Sequence, residues 1–373
     1  MRILFLGPIN EGQTSLMRMR ALKRMGHAVR GVHTIAPWLR VSWLQRQVQR
    51  RLGRGSVVNE INDEVLRAAR DFHPDLVWAE KQEYLRRETL EDMRAVGARL
   101  VHFTPDPYFS VGWKRTPLMD EALLTFDVLV YCKAYERAQY ETLGRQLIYM
   151  PLGYCDEVHR PLASDDRRWK CSVGFIGGWE PRRENMLRTI AAQGIDLKIW
   201  GLCWNYFCDG RWTPRRYLVM RQLAGKEDFH IRRDPLLARA HQGGEVYGDD
   251  YARALTASRI GIGFLRTVWP DQHTTRTFEI PACGSMLLAD RSDEHREFFD
   301  EGKEAEYFSS AEELTDKAEF YSRNDAARER IASAGLRRCE TARYAYIYLL
   351  NGVLAKITIK QSKGKSVPGF DNA

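Results

Sequence analysis

The chain has 373 residues, of which 44% are hydrophobic and 28% charged, and it carries a formal net charge of +8. That length exceeds what one hydrophobic core usually serves and predicts two domains, while the ordinary composition excludes a disordered chain. No uninterrupted apolar run approaches the ~20 residues of a membrane span, and the apolar stretch of MRILFLGPINEG falls short of the ~7–15 residues of a secretory signal core.

The expected location is therefore the cytoplasm. Seven cysteines are scattered without CxxC spacing, and Cys203 and Cys208 lack a second ligand pair nearby, so reduced thiols are expected rather than zinc. The charge is uneven. Residues 1–55 hold eleven Lys/Arg against one acid, Glu11, whereas the other 318 residues hold 46 basic and 48 acidic side chains. A basic amino-terminal face attracts nucleic acid, an anionic membrane or a phosphorylated acceptor.

In chain order, an apolar run Arg2 to Leu6 ends at Gly7-Pro8, Thr14 is placed as the N-cap of a helix to Met25, and Ala28 to His33 is a second strand. Strand, turn, helix and strand in so short a span is a βαβ unit. Further strands are predicted at 75–79, 99–104, 128–132 and 146–150, with helices at 59–72 and 117–125 between them. The polar stretch 156–170, with Pro161, is predicted as a linker between a domain over 1–155 and one over 171–340. Strands are predicted there from Cys171, and at 196–201, 259–265 and 285–290, with Ser310 and Glu313 as a capping box. A carboxyl-terminal helix over 341–359 and a disordered tail over 360–373 complete the expectation. Apolar strands alternating with helices imply two doubly wound α/β domains, with ligands at the carboxyl ends of the strands and in a cleft between the domains.

The segment DQHTTRTFEIPACGSMLLAD, residues 271–290, is a donor-rich loop, a helix start and a buried strand. Thr274, Thr275 and Arg276 with the amides of the helix start form an anion pocket, and Glu279 lies where a carboxylate accepts from a ribose diol. Here the chain resembles the glycosyltransferase group 1 superfamily, in particular its CgeB-like (spore-maturation type) branch. The superfamily's hallmark is two glutamates separated by seven residues, then an apolar-Ala-Cys-Gly step and a strand. This chain has Asp271, seven residues, Glu279, and Ile280-Pro281-Ala282-Cys283-Gly284. Asp271 replaces the first glutamate, and Gln272-His273-Thr274 replaces the usual Gly-Phe-Gly.

The resemblance implies a GT-B fold of two Rossmann-like domains, with carboxyl-terminal helices packing back towards the first. It implies a donor site of Gly177, Gly178, Arg182, Arg183, His273, Thr274, Thr275, Arg276 and Glu279, with Glu279 on the ribose. It also implies transfer from a nucleotide-diphosphate sugar, with retention, to a hydroxyl acceptor bound by the first domain. No cofactor is expected.

Gly177 and Gly178 would admit a close backbone approach, and Arg182 or Arg183 would offset diphosphate charge, although exposed arginines also occur without function. Asp249-Asp250 and Asp165-Asp166 lack the DxD spacing and third ligand of a metal site, so no metal is expected. On the acceptor side, GPINEG, with Gly7 and Gly12, is neither GxGxxG nor a Walker loop and suits a tight turn. His102 and Asp106 lie at a strand end with Glu80 and Lys81 in a similar position. Asp106 is the candidate base should the reaction invert, His102 the group that orients the acceptor, and Asp271 a third catalytic candidate. A plainer reading makes Asp106 a loop cap and His102 a hydrogen-bonded core residue.

Residues 36–55 carry Val41, Leu44, Val48 and Leu52 at helical spacing, Arg46, Arg50 and Arg54 on another face, and Trp38 and Trp43. An ordinary helix packed on its own domain is preferred over a peripheral membrane contact suited to a lipid-linked acceptor. No nucleic-acid module accompanies the charge. Two alternatives stay open: a nucleotide-sugar epimerase of the same fold, and a non-catalytic nucleotide-sugar-binding or membrane-peripheral protein.

Overall fold

The computed structural model describes residues 1–111, 115–204 and 234–362. The chain divides into two compact units, Met1–Cys155 with Tyr346–Ala373, and Asp156–Ala345. The first unit holds a six-stranded, wholly parallel sheet of β1 (Arg2–Gly7), β2 (Ala28–His33), β3 (Leu76–Glu80), β4 (Arg99–Thr104), β5 (Val128–Tyr131) and β6 (Gln146–Tyr149), in the order β2-β1-β3-β4-β5-β6. The second holds β7 (Cys171–Ile176), β8 (Leu197–Trp200), β9 (His241–Gly243), β10 (Ser258–Gly263), β11 (Met286–Asp290) and β12 (Glu306–Phe308), ordered β12-β11-β10-β7-β8-β9 and also parallel.

Each sheet is covered on both faces, which is why β3 and β11 are buried along their whole lengths and read as apolar runs up to their last residues, Glu80 and Asp290. Leu4, Leu6, Val77, Leu100 and Leu129 anchor the first core, and Val173, Ile199, Ile260, Met286 and Leu288 the second. Both orders contain a point where successive crossovers leave in opposite directions, between β1 and β3 and between β7 and β10. Ligands of open α/β sheets bind at such points.

Several local expectations change. The helix Thr14–Arg24 is capped by Gln13 rather than Thr14, because Gln13 is the extended residue and Thr14 already has helical backbone. The stretch 156–170 belongs to the second unit, held there by Leu162 N–H donating to Thr256 Oγ1 (3.0 Å) and by Lys198 Nζ donating to the Arg167 and Arg168 carbonyls (2.7 and 2.8 Å). The short strands β9 and β12 went unpredicted, three residues each being too few to show a period. Ser310 does accept from Glu313 N–H, opening the helix Ala311–Arg323. The last helix, Tyr346–Ser362, packs in the first unit against Thr14–Arg24, and residues 363–373 of the predicted tail, like Cys208, lie outside the described residues.

That packing is organised by one buried cation. Arg18 and Glu80 are both fully buried; Arg18 Nε donates to Glu80 Oε2 at 2.9 Å, and Ser15 Oγ donates to Oε1 at 2.6 Å. The Arg18 guanidinium lies 5.1 Å from the Phe103 ring centre and 4.9 Å from that of Tyr346, whose N–H donates to the Tyr154 carbonyl at 2.8 Å. Burial alone would raise the Glu80 carboxyl, but the charge and hydrogen bonds of Arg18, with Ser15, hold it below its ordinary value.

Candidate active site

In the second unit, two arginines grip the turn that follows β7. Arg276, first residue of the helix Arg276–Ala282, donates from Nε to the Ile176 carbonyl (3.2 Å), and Arg183 donates from Nη1 to the Gly178 carbonyl (2.9 Å). Arg183 is 8% exposed and pairs with Glu180 at 3.1 Å, yet its buried Nε has no hydrogen-bond partner. Burial, reinforced by repulsion from Arg266 and Arg276, pushes this guanidinium down to about 10 despite Glu180. Three cations thus crowd the β7/β10 switch point, Arg183 facing Glu180 and Arg276 facing Glu279. An anion bound there would relieve the repulsion and fill the vacant donor.

Beside them lies Glu279, 3% exposed. Tyr251, in the helix Gly248–Ala257, donates its hydroxyl to Glu279 Oε2 at 2.5 Å, and Arg276 Nη1 stands 3.4 Å from the same oxygen. His159 Nε2 is 3.7 Å from Oε1, beyond hydrogen-bond reach. Burial pushes the Glu279 carboxyl up, but His159 and Arg276, with hydrogen bonds from Tyr251 and Thr275, bring it below its ordinary value. His159 is itself lowered by burial, so near neutral pH Arg276 is the cation facing an ionised Glu279. Neither Tyr251 nor His159 had been given a role from the sequence. His159 is 120 positions before Glu279 in the chain, and only tertiary folding brings them together.

The other expected donor residues are placed differently. Arg182 donates to both Asp290 carboxylate oxygens, the Nη1–Oδ2 contact being 2.9 Å, whereas Arg183 faces Glu180 but keeps its Nε without a partner. His273 is fully buried, bound through Nδ1 to Glu294 and edge-on to Phe278 and Phe298. It braces the loop and is inaccessible to a ligand. Asp271 is also buried. Thr274 N–H donates to Thr277 Oγ1 (3.1 Å), and the amides of Thr277, Phe278 and Glu279 reach the Thr274 and Thr275 carbonyls, so these four amides are already engaged. A side chain on Gly177 would strike the Phe175 ring at 2.6 Å, whereas Gly178 faces open space. Asp249 and Asp250 pair with Arg160, Arg253 and Arg168, and Asp165 with Lys170. Among the described residues no three His, Cys, Asp or Glu side chains gather as a metal site.

In the first unit, a cavity of about 540 Å³ opens at the β1/β3 switch point. Lys81 and Asp106 line it, along with Arg50, Trp38, Thr34 and Gln82. Lys81 holds a left-handed φ of 55°, a strained setting that aims the residue after β3. Gly12, at φ 81°, makes the turn before Thr14, and Gly7 is buried at the end of β1. Glu80 does not line this cavity; it is fully buried and locked to Arg18. His102 is likewise withdrawn, 1% exposed and packed 5.0 Å from Phe126.

Burial pushes His102, and His295 in the second unit, down to about 4. Below their ordinary value near 6.5 the unfolded chain takes up protons that the folded chain refuses, so stability falls as pH falls towards 4. Between pH 7 and 5 each is expected to cost about 2 kcal/mol. Urea midpoints that coincide at the two pH values would contradict this burial.

Two Rossmann-like units in one chain are the architecture of the GT-B fold. Residues 182–354 match the model of a family described as glycosyl transferase-like. No curated protein matches the chain. Among solved structures it is similar to Anabaena HepE in complex with UDP and glucose (11% identity, 96% of this chain and 99% of that one, TM-score 0.61). It is also similar to sucrose-phosphate synthase from Thermosynechococcus elongatus (11%, 97% and 100%, 0.62) and to a UDP-forming α,α-trehalose-phosphate synthase from Burkholderia xenovorans (11%, 96% and 100%, 0.63). The family match spans less than half of the chain, mostly in the second unit, and the likeness to these solved structures is one of fold.

Proposed function

We propose that this protein transfers a sugar from a uridine-diphosphate donor to a hydroxyl acceptor, with retention and without a metal, as a member of the CgeB-like branch. The observation that carries the reading is the cation-rich β7/β10 switch point, where Arg183 keeps an unused buried donor next to Arg266 and Arg276. Two phosphates meet those cations, and Glu279 accepts from the ribose hydroxyls. UDP is the nucleotide in the HepE complexes, which supports it as the donor's leaving group. As the sugar–phosphate bond breaks, the acceptor oxygen bonds the same sugar carbon and its proton passes to the departing phosphate, so no enzymic base is required. Asp106, at the acceptor-side cavity, is the base in the inverting case. The six described cysteines are all free, in keeping with a reducing cytoplasm. No helix among the described residues is long and apolar enough to cross a membrane.

Titration calorimetry with UDP tests the site. Glu279→Ala is expected to weaken UDP about tenfold or more, as befits hydrogen bonds to a charged group of about 1.5–3 kcal/mol. Unchanged affinity would show that the ribose lies elsewhere.

A further inference from the structure

The helix Trp43–Leu52 in the first unit is amphipathic the wrong way round for a soluble surface. It is closed at one end by a capping box, in which Ser42 Oγ accepts from Gln45 N–H while the Gln45 side chain accepts from Ser42 N–H, and at the other by Gly53 at φ 61°. Its inward side is polar. Gln49 Oε1 accepts from Val57 N–H at 2.9 Å, the Arg50 guanidinium sits 5.3 Å from the Trp38 ring centre, and the Nε atoms of Arg46 and Arg50 are buried without a hydrogen-bond partner. Its outward side carries Leu44, Val48 and Leu52, one above another at four-residue spacing and 65%, 49% and 55% exposed. Trp43 and Leu39, each 67% exposed, extend the apolar area. A helix on a water-facing surface turns its apolar stripe inward. The preference for ordinary packing, drawn from spacing alone, is thus overturned by exposure.

The surrounding charge selects the occupant. From Gly12 to Asn59 there is no acidic residue. Arg51 and Arg54 are exposed beside the stripe, with no carboxylate in ion-pair distance among the described residues. A second copy of the chain meeting this face would set like charges together, whereas a negatively charged lipid surface complements both the arginines and the leucines.

We propose that the first unit seats on an anionic bilayer through the outward side of the helix Trp43–Leu52. The contact deepens the sugar-transfer reading and rests on it for its purpose. Arg50 and Trp38, on the inward side of the same segment, line the acceptor-side cavity with Lys81, so docking would bring that cavity to the lipid, where a membrane-borne acceptor hydroxyl enters.

The test is sedimentation of the full chain with phosphatidylcholine vesicles and with vesicles containing phosphatidylglycerol, alongside UDP titration of the same samples. The wild type is expected to pellet with the anionic vesicles and much less with the neutral ones. L44S/V48S/L52S should abolish pelleting, and R51E/R54E should lower the apparent affinity at least about twentyfold, since each basic residue near such a surface contributes roughly fivefold. All these side chains are exposed, so the variants should fold, with UDP affinity as the check. Failure to pellet, or pelleting that neither variant reduces, overturns the proposal. So does a wild-type dimer that L44S/V48S/L52S dissociates. Pelleting without UDP binding would instead leave the bilayer contact standing and remove the transferase reading.

Discussion

Replacing Glu80 with alanine is expected to destabilise the protein by about 3–5 kcal/mol, the range for a buried ion pair that loses one partner. The cause is the charge left behind. Arg18 is fully buried, and the Glu80 charge holds its guanidinium above the ordinary range against the opposing effect of burial. Without Glu80 that cation retains only the faces of Phe103 and Tyr346 and a 2.8 Å bond from Nη2 to Thr14 Oγ1. Against a typical domain stability of about 5–15 kcal/mol, the loss is a large fraction. Denaturant unfolding measures it, and the double variant Arg18→Met/Glu80→Leu should recover most of it, because buried pairs replaced by apolar groups cost little. A single-variant loss under about 1 kcal/mol would mean that water reaches the pair.

The second large effect falls on ligand binding. Arg183→Met should lower UDP affinity about tenfold to a hundredfold, as expected for charge-assisted contacts of roughly 1.5–3 kcal/mol, while leaving uridine affinity unchanged. Methionine keeps the length and apolar stem and removes only the fork. Arg183→Lys should fall between, since an ammonium keeps the charge but not the geometry. Equal losses for uridine and UDP would move Arg183 away from the phosphates. Arg182→Met should cost less than Arg183→Met in this assay, because Asp290 already balances Arg182.

Much of the architecture could be read from the sequence because parallel strands covered on both faces announce themselves as unbroken apolar runs. Arg99–Thr104 was located to the residue, and so was the largely exposed edge strand Ala28–His33, from its place after the first helix. The site was legible only where neighbours in sequence are neighbours in space: Arg276 and Glu279, one helical turn apart, do meet. What could not be read was depth. Arg182 and Arg183 look alike in the sequence, yet one faces Asp290 and the other is buried short of partners. His102, His273 and Glu80 share the residue types of catalysis but are withdrawn behind packing that no spacing reveals. The helix Trp43–Leu52 shows the same limit, since its periodicity was plain but not which side faced outward.

The assignment of Tyr346 onward to the first unit makes the second a nested insertion, entered at Asp156 and left at Ala345. A fragment spanning 156–345 carries its complete sheet and core and is a sensible object to express alone. Its complement is not. Ending the chain at Cys155 would strip the aromatic lid from Arg18 and leave a cation beneath bare helix, so trimming the far carboxyl end damages the domain that begins at the amino terminus.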